Sequence, residues 1–499
     1  MSNPSALFDK AGYIALKEYL GDFIGMRRYG PWKLPLRLPD RIQLFFLRIV
    51  SRLSWFSDRL YVCHESNVSP AYGVLLQYLK KKRVYDAITE RDLHFRGYFS
   101  YFARKDLKIN GKKWSFSGQG VAEDKATALS KALGEITERA ISGAYDMNKA
   151  IRKASPDELA KEAPILYPPR FHRFLDIQKE ASESIRYDPS VPIDWVRGIN
   201  LVTKETTYIP RHMTSWFIEN RNKQKFFTNS TTNGAAGYFT REGAVLRGLL
   251  EAVQRDAFLV HWLTTIPPRL IDTATMPEYI QYKIREFETF GVSLSILDVS
   301  SIPIPSVFIA GMNIHAEIPQ IVLSGGSALT FEEAILSALQ EMIVASEMFY
   351  YPYDGSTKVT GDTELKPFIS DLDKIGRQLY WRGADKVRNF SWFLSGECVS
   401  YGEVCKGDLQ CEEAETARIE ACLSKLRACG EAYYPIVYYP ENNIQKEIGF
   451  YIAQVYIPKA FPLYLIERFG TFDSDRLQEF ALSKGFSKWQ LNPYPHMFS

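Results

Sequence analysis

Three segments of the 499-residue chain, ALSKALGE (128–135), AVLRGLLE (244–251) and AILSALQE (334–341), fit one pattern, AxxxsLxE with s either Ala or Gly. Each lies seven or eight residues beyond a glycine-bearing stretch: SGQG (117–120), NGAAG (233–237) and SGG (324–326). Such a recurrence restricts the chain to folds in which one supersecondary unit is used three times. Positions i, i+4 and i+7 share a face of a helix with about 3.6 residues per turn. That face carries Ala, then Ala or Gly, then Glu. Small residues admit a close backbone or ligand, and the glutamate projects from the same face at the far end. One such helix would be read as an ordinary packing helix with a solvated acid. Three copies, each after a glycine turn at matching distance, predict that Glu135, Glu251 and Glu341 share a space. The next turn adds Glu138 and Gln254, followed by Arg139 and Arg255.

Buried carboxylates are costly unless protonated, paired with arginine or bound to cations. Mg²⁺ prefers carboxylate oxygens and commonly binds together with phosphates. Glycine turns that lead into helix N-termini offer N–H groups and a positive dipole end to anionic phosphate. The pattern therefore points to magnesium and a nucleotide, although none of the three glycine stretches is a Walker A or GxGxxG loop.

Composition narrows the alternatives. A net charge of +3 gives no whole-chain argument for nucleic acid or an anionic membrane surface. The start of the chain lacks the architecture of a secretory signal, and its longest early apolar run, IQLFFLRIV (42–50), is less than half of a bilayer span. The six cysteines include no CxxC pair, so a cytoplasmic protein with buried thiols, Cys422 and Cys429 on one helical face, is favoured over a zinc site.

In order along the chain, SGQG with SKALGEITER, WVRGINLVTKETTYIP (195–210), TTNGAAGYFTREGAVLRGLLEAVQRDAF (231–258), SGGSALTFEEAILSALQE (324–341) and the terminal NPYPHMFS make it resemble the YcaO family over residues 95 to 499. The resemblance implies an ATP- and Mg²⁺-dependent enzyme that phosphorylates a backbone amide of a ribosomally made precursor peptide. Cys, Ser or Thr then closes a thiazoline or oxazoline, as in azole-modified microcin antibiotics. Carried over by motif, Glu135, Glu138 and Glu251 are ligands of Mg²⁺ and phosphate, Arg255 is a phosphate contact and Glu341 lies near the nucleotide. Ser117, Gly118 and Gly120 of the SGQG turn, with Lys131, fall where the family contacts ATP. Gln254 stands where most members have glutamate, Tyr238 where a polar residue is usual and Gly243 where an acid is expected, which leaves Glu242 as a shifted metal ligand. Family tails of PxPxP type insert at the active site; here Pro493 and Pro495 survive, making His496 a proton-transfer candidate and bringing Ser499 to the reacting centre.

Strand-like runs at 292–299, 306–314, 433–440 and 450–458 alternate with helical periodicity, as at 411–429. The expectation is a mixed α+β composite domain over 95–499, its three loop–helix repeats packed on sheets, behind an N-terminal extension (1–94) of unknown role. That extension carries basic patches at 26–41 and 80–83, read as solvated faces in preference to a docking surface for an acidic leader peptide. The expected partners are a precursor peptide, a separate leader-binding protein, a flavin-dependent dehydrogenase and further copies of the chain. Sulfide or an internal amine as nucleophile, giving thioamide or amidine, is the alternative chemistry; a non-catalytic scaffold is the alternative class.

Overall fold

The structure, a computed structural model, describes residues 70–497 apart from 83, 110–111, 145–150, 186–187, 215–230, 314–319, 351–364, 371, 373 and 441. It opens with helix α1 (Pro70–Lys82) and an antiparallel sheet of β1 (Ala87–Arg91), β2 (Phe99–Ile109) and β3 (Lys112–Ala122), after which comes α2 (Lys125–Ala144). Leu75, Leu76 and Leu79 of α1 are buried in one cluster with Leu129, Leu133 and Ile136 of α2. Residues 70–94, expected to belong to an extension, are thus built into the first sheet layer, because their apolar face has α2 to bury against. The expected patch at 26–41 and the apolar run at 42–50 lie outside the described residues.

A second sheet has the order β4 (Arg152–Ala154), β6 (Ile193–Asn200), β14 (Ile436–Tyr438), β15 (Tyr451–Tyr456), β8 (Ala235–Tyr238), with β7 (Thr206–Pro210) paired to β6. A third has the order β12 (Gln320–Ser327), β11 (Ser306–Asn313), β10 (Ser293–Asp298), β9 (Arg269–Asp272), β13 (Cys398–Ser400). The short strands β5 (His172–Arg173) and β16 (Asp473–Ser474) pair with each other. Helix α3 (Arg241–Thr264) follows β8 and α4 (Phe331–Ser346) follows β12; α5 (Glu415–Ala428) and α6 (Asp475–Ser483) come later. The mixed α+β composite expected from the sequence is the observed fold. Of the expected strands, 433–440 shrinks to β14, since Glu431–Tyr433 forms a 3-10 turn instead.

The repeat is a strand–helix unit, which corrects the reading of SGQG and SGG as turns; in NGAAG the turn is confined to Asn233 and Gly234, the latter at φ 74°, before β8 begins. SGQG lies inside β3 and SGG inside β12, while AAG forms most of β8. Their glycines serve close packing. A Cβ on Gly120 would fall 2.0 Å from the Ala128 carbonyl oxygen, and one on Gly326 2.3 Å from that of Ala334. Two residues earlier in β3 and β12, and in the turn just before β8, the register repeats. Gly118 meets Ala132, Gly234 meets Gly248, and Ser324 Oγ donates to the Ala338 carbonyl at 2.8 Å. The small residues of AxxxsLxE therefore face strand backbone, and each helix lies nearly in contact with its strand.

The helices also share a cap, since Asp124, Thr240 and Thr330 each stand four residues before the first Ala. Their side chains accept from Thr127 N (2.8 Å), Gly243 N (3.0 Å) and Glu333 N (3.2 Å), satisfying donors that a first helical turn leaves unpaired. Strands β3, β8 and β12 each form an edge of their own sheet. Each helix then reaches the next unit: α2 touches β8, α3 touches β12 and α4 touches β3, closing a three-membered ring.

The cysteines do not form the expected buried pair. Cys422 is buried, but Cys398, Cys411 and Cys429 are exposed, and none of the described cysteines is in a disulfide.

Candidate active site

Within the ring, α2 and α3 bring their acids together. Glu135 and Arg139 pair at 2.5 Å across one turn of α2, and Glu251 and Arg255, at the same repeat positions of α3, pair at 3.1 Å. Glu138 stands among them. Burial, and after it the neighbouring Glu251 carboxylate, holds the Glu138 carboxyl well above the usual carboxylate range, with Arg139 opposing and Glu135 adding to the shift. Burial also raises Glu251, against the pull of Arg255 and Arg139. Both acids retain partial exposure while lying deep in the protein, as carboxylates on a cleft wall do.

The outward edge of β3 is covered by these same side chains. Arg139 Nη1 donates to the Ser117 carbonyl (2.7 Å), Gln119 N donates to Glu135 Oε2 (2.5 Å), and Gln340 Nε2 of α4 donates to the Val121 carbonyl (3.0 Å). Lys131 Nζ donates to Gln340 Oε1, and burial lowers the Lys131 pKa against the opposing charge of Glu341. Glu341 is exposed, and its charge acts on Lys131. Gln254 lies against β12, where a Cβ on Gly325 would come 2.5 Å from its Nε2.

Other expected positions fall elsewhere. Gly118 and Gly120 face the backbone of α2, so they form no open cradle for phosphate. Glu242 sits in the first turn of α3, on the face opposite Glu251 and about 13 Å from it along the axis, next to Tyr439. The shifted-ligand expectation is not met because a separation of nine residues is about two and a half helical turns, which leaves the two acids on opposite faces. His496 is buried, its Nε2 donating to the Tyr464 carbonyl at 2.7 Å and its ring set edge-on to Phe258 and Tyr464. This is the setting of an anchor. Ser499 lies outside the described residues. The tail runs back along α3: Asn492 binds the carbonyls' end of the helix at Trp262 and Leu263, Tyr494 O accepts from Trp262 Nε1 (3.2 Å), and His496 reaches Phe258, one turn from Gln254.

Three residues of this arrangement carry no role in the sequence reading. Arg139 repeats the Glu-to-Arg spacing of Glu251 and Arg255, a signal present in the sequence. Gln119 contributes backbone, which no side-chain motif reports. Asp256 follows Arg255 and is fully buried, accepting from Arg476 Nη2 (2.6 Å), Arg476 Nε (3.2 Å), Ser301 Oγ (2.8 Å) and Phe461 N (2.9 Å).

Residues 117–460 match the family model described as YcaO cyclodehydratase, ATP- and Mg²⁺-binding. No curated protein matches the chain in sequence. Among solved structures, a heterocyclase in complex with substrate and cofactor is similar with TM-score 0.67 and 18% identity, over 85% of this chain and 57% of that one. The chain thus spans little more than half of that relative. The Methanopyrus kandleri YcaO structure bound with AMPPCP and Mg²⁺ gives TM-score 0.55 and 18% identity over 78% of this chain and 90% of that one. A chain of the E. coli microcin synthetase McbBCD complex with pro-MccB17 bound gives 0.53 and 14% over 82% and 97%. These likenesses carry the fold.

ATP and Mg²⁺ fit what the site presents. Among the described residues no three His, Cys, Asp or Glu side chains are placed to hold a metal ion by themselves. Mg²⁺ commonly takes one or two carboxylates and completes its shell with substrate phosphates and water. Glu138 facing Glu251 at depth is a like-charge contact that a cation would relieve. No helix of the described residues is long and apolar enough to cross a membrane.

Proposed function

Because the chain belongs to the YcaO family of ATP- and Mg²⁺-binding proteins, we propose that it is a peptide cyclodehydratase, closing azoline rings at Cys, Ser or Thr of a ribosomally made precursor. The observation that carries this reading is the meeting of Glu135, Glu138 and Glu251, with Arg139 and Arg255, from two repeats of one chain. ATP with Mg²⁺ supplies the phosphoryl group that turns an amide oxygen into a leaving group.

In this proposal the side-chain nucleophile of the peptide loses its proton to solvent and adds to the preceding carbonyl carbon, and the oxygen takes the γ-phosphoryl group of ATP as the β–γ bond breaks and ADP leaves. The C–O bond then breaks, phosphate leaves, and the amide nitrogen loses its proton as the ring C=N forms. Glu138 and Glu251 would hold Mg²⁺, which would supply charge neutralisation on the phosphates; Glu135 positions Arg139, and Arg139 and Arg255 neutralise charge that grows on the transferring oxygens. Lys131 and Glu341 line the α2–α4 side of the nucleotide. The catalytic unit in this proposal is the stretch matched by the family model, 117–460, with the elements packed on it; leader binding and later oxidation of the rings belong to partner proteins.

Phosphate release measured with and without a candidate precursor peptide tests the reading. Peptide-stimulated release that is lost in Glu251→Gln is the expected result, together with a mass loss of one water per ring. Oxygen replaced by sulfur would transfer the proposal to thioamide chemistry. Absence of nucleotide consumption under every condition would leave a scaffold.

A further inference from the structure

Arg247 stands one turn before Glu251 on the stripe of α3 that also carries Arg255. Residues four apart on a helix are surface neighbours, and the Arg247 guanidinium turns back along that stripe to Gly243, the position at which the resemblance expects an acid of the site. The guanidinium is held in a defined plane. Its central carbon lies 3.6 Å from the Tyr238 ring centroid, and Nη1 donates to the Gly243 carbonyl at 3.1 Å. Tyr238 in turn is fixed between Arg247 and α1, where Tyr72 lies near enough to feel both.

Tyr238 and Gly243 belong together. A Cβ on Gly243 would fall 2.2 Å from Tyr238 Cδ1, so the ring requires glycine there. Where the sequence led us to expect a polar residue and an acid, the fold installs a stacked cation instead. Its counter-charge is weak: Glu415 Oε1 is 3.8 Å away, beyond hydrogen-bonding distance, while Glu415 Oε2 accepts from Thr240 Oγ1. Among the described residues the Arg247 guanidinium donates to the Gly243 carbonyl alone, and 47% of the side chain is exposed. With glutamine at 254 and glycine at 243, the site offers few metal ligands. A triphosphate carries more negative charge than one Mg²⁺ cancels, so fixed cations must supply the remainder.

We propose that Arg247 is a nucleotide-binding residue that donates to the terminal phosphate oxygens, held in place for that contact by the Tyr238 ring. This rests on the nucleotide reading above. The test is calorimetric titration of the full chain, in excess Mg²⁺, with AMPPNP and, by competition, with AMP. Arg247→Ala should bind AMPPNP about ten- to a hundredfold more weakly and AMP unchanged. Arg247→Lys should recover part of the loss, and Tyr238→Leu should show a smaller loss of the same selectivity. AMPPNP binding equal to wild type in Arg247→Ala, or an equal loss for AMP, overturns the assignment while leaving the nucleotide site intact. A wild-type chain that binds neither nucleotide overturns both readings.

Discussion

Glu138 is the residue whose chemistry the fold alters most. Its carboxyl is raised by burial and by Glu251, so between the ordinary and the raised pKa the folded chain holds a proton that the unfolded chain has lost. Stability contributed there is present at low pH and falls as pH rises through that window. Melting curves without Mg²⁺ should therefore decline from mildly acidic to alkaline pH more steeply for wild type than for Glu138→Gln, which should be the more stable at pH 8. Mg²⁺ with AMPPNP should reverse that order, since a metal stabilises the ionised carboxylate and releases its proton. Parallel pH curves for the two proteins would remove Glu138 from the coupled group. Glu135, Glu138 and Glu251 were legible in the sequence because the repeat places them in register. Glu242 was misplaced because counting along a loop cannot replace counting around a helix.

At the scale of elements, the contact between strand and helix decides the fold. The neighbours of Gly120 and Gly326 are main-chain atoms of α2 and α4, which cannot rotate aside as a side chain could. Gly120→Ala and Gly326→Ala should each cost about 1–3 kcal/mol, read as a shifted urea midpoint with unchanged slope. Loss of the cap in Thr330→Ala should cost about 1 kcal/mol, and a matching loss is expected for Asp124→Ala. Little or no loss in the glycine variants would mean that the helices stand farther from their strands than we describe. The sequence showed three glycine stretches and three helices but hid their relation. A glycine in a strand and a glycine in a turn look alike where the strand does not alternate; β8 is too short to alternate and β12 too uniformly buried, whereas β3 does alternate over 115–120, a signal the glycines masked. The caps four residues before each first Ala were visible and would have dated the helix starts.

For the whole molecule, the question is what fixes α3, the helix that carries Glu251, Gln254 and Arg255. Two distant segments do so. The Asp256 carboxylate gathers Arg476 of α6, Phe461 N and Ser301 Oγ in the interior, and the C-terminal segment caps the end of the helix. Asn492 N donates to the Leu263 carbonyl (2.9 Å) and Asn492 Nδ2 to that of Trp262 (3.0 Å), two of the acceptors a helix leaves unpaired in its last turn. Trp381 Nε1 then binds the Pro495 carbonyl at 3.0 Å, and His496 and Met497 fill the core behind it. The proline spacing in the sequence announced an ordered tail, whereas its partners on residues 262, 263 and 381 could not be read without the fold. Removing residues 491–499 should therefore destabilise the chain by several kcal/mol, about the cost of emptying a core site and uncapping a helix together, and not merely slow its reaction. Asp256→Ala, which strands a buried arginine, should cost about 3–5 kcal/mol. Guanidinium denaturation of the two variants distinguishes this from a purely catalytic tail. A truncated chain as stable as wild type would mean that the segment serves the reaction alone, and that α3 is held by the Asp256 network without it.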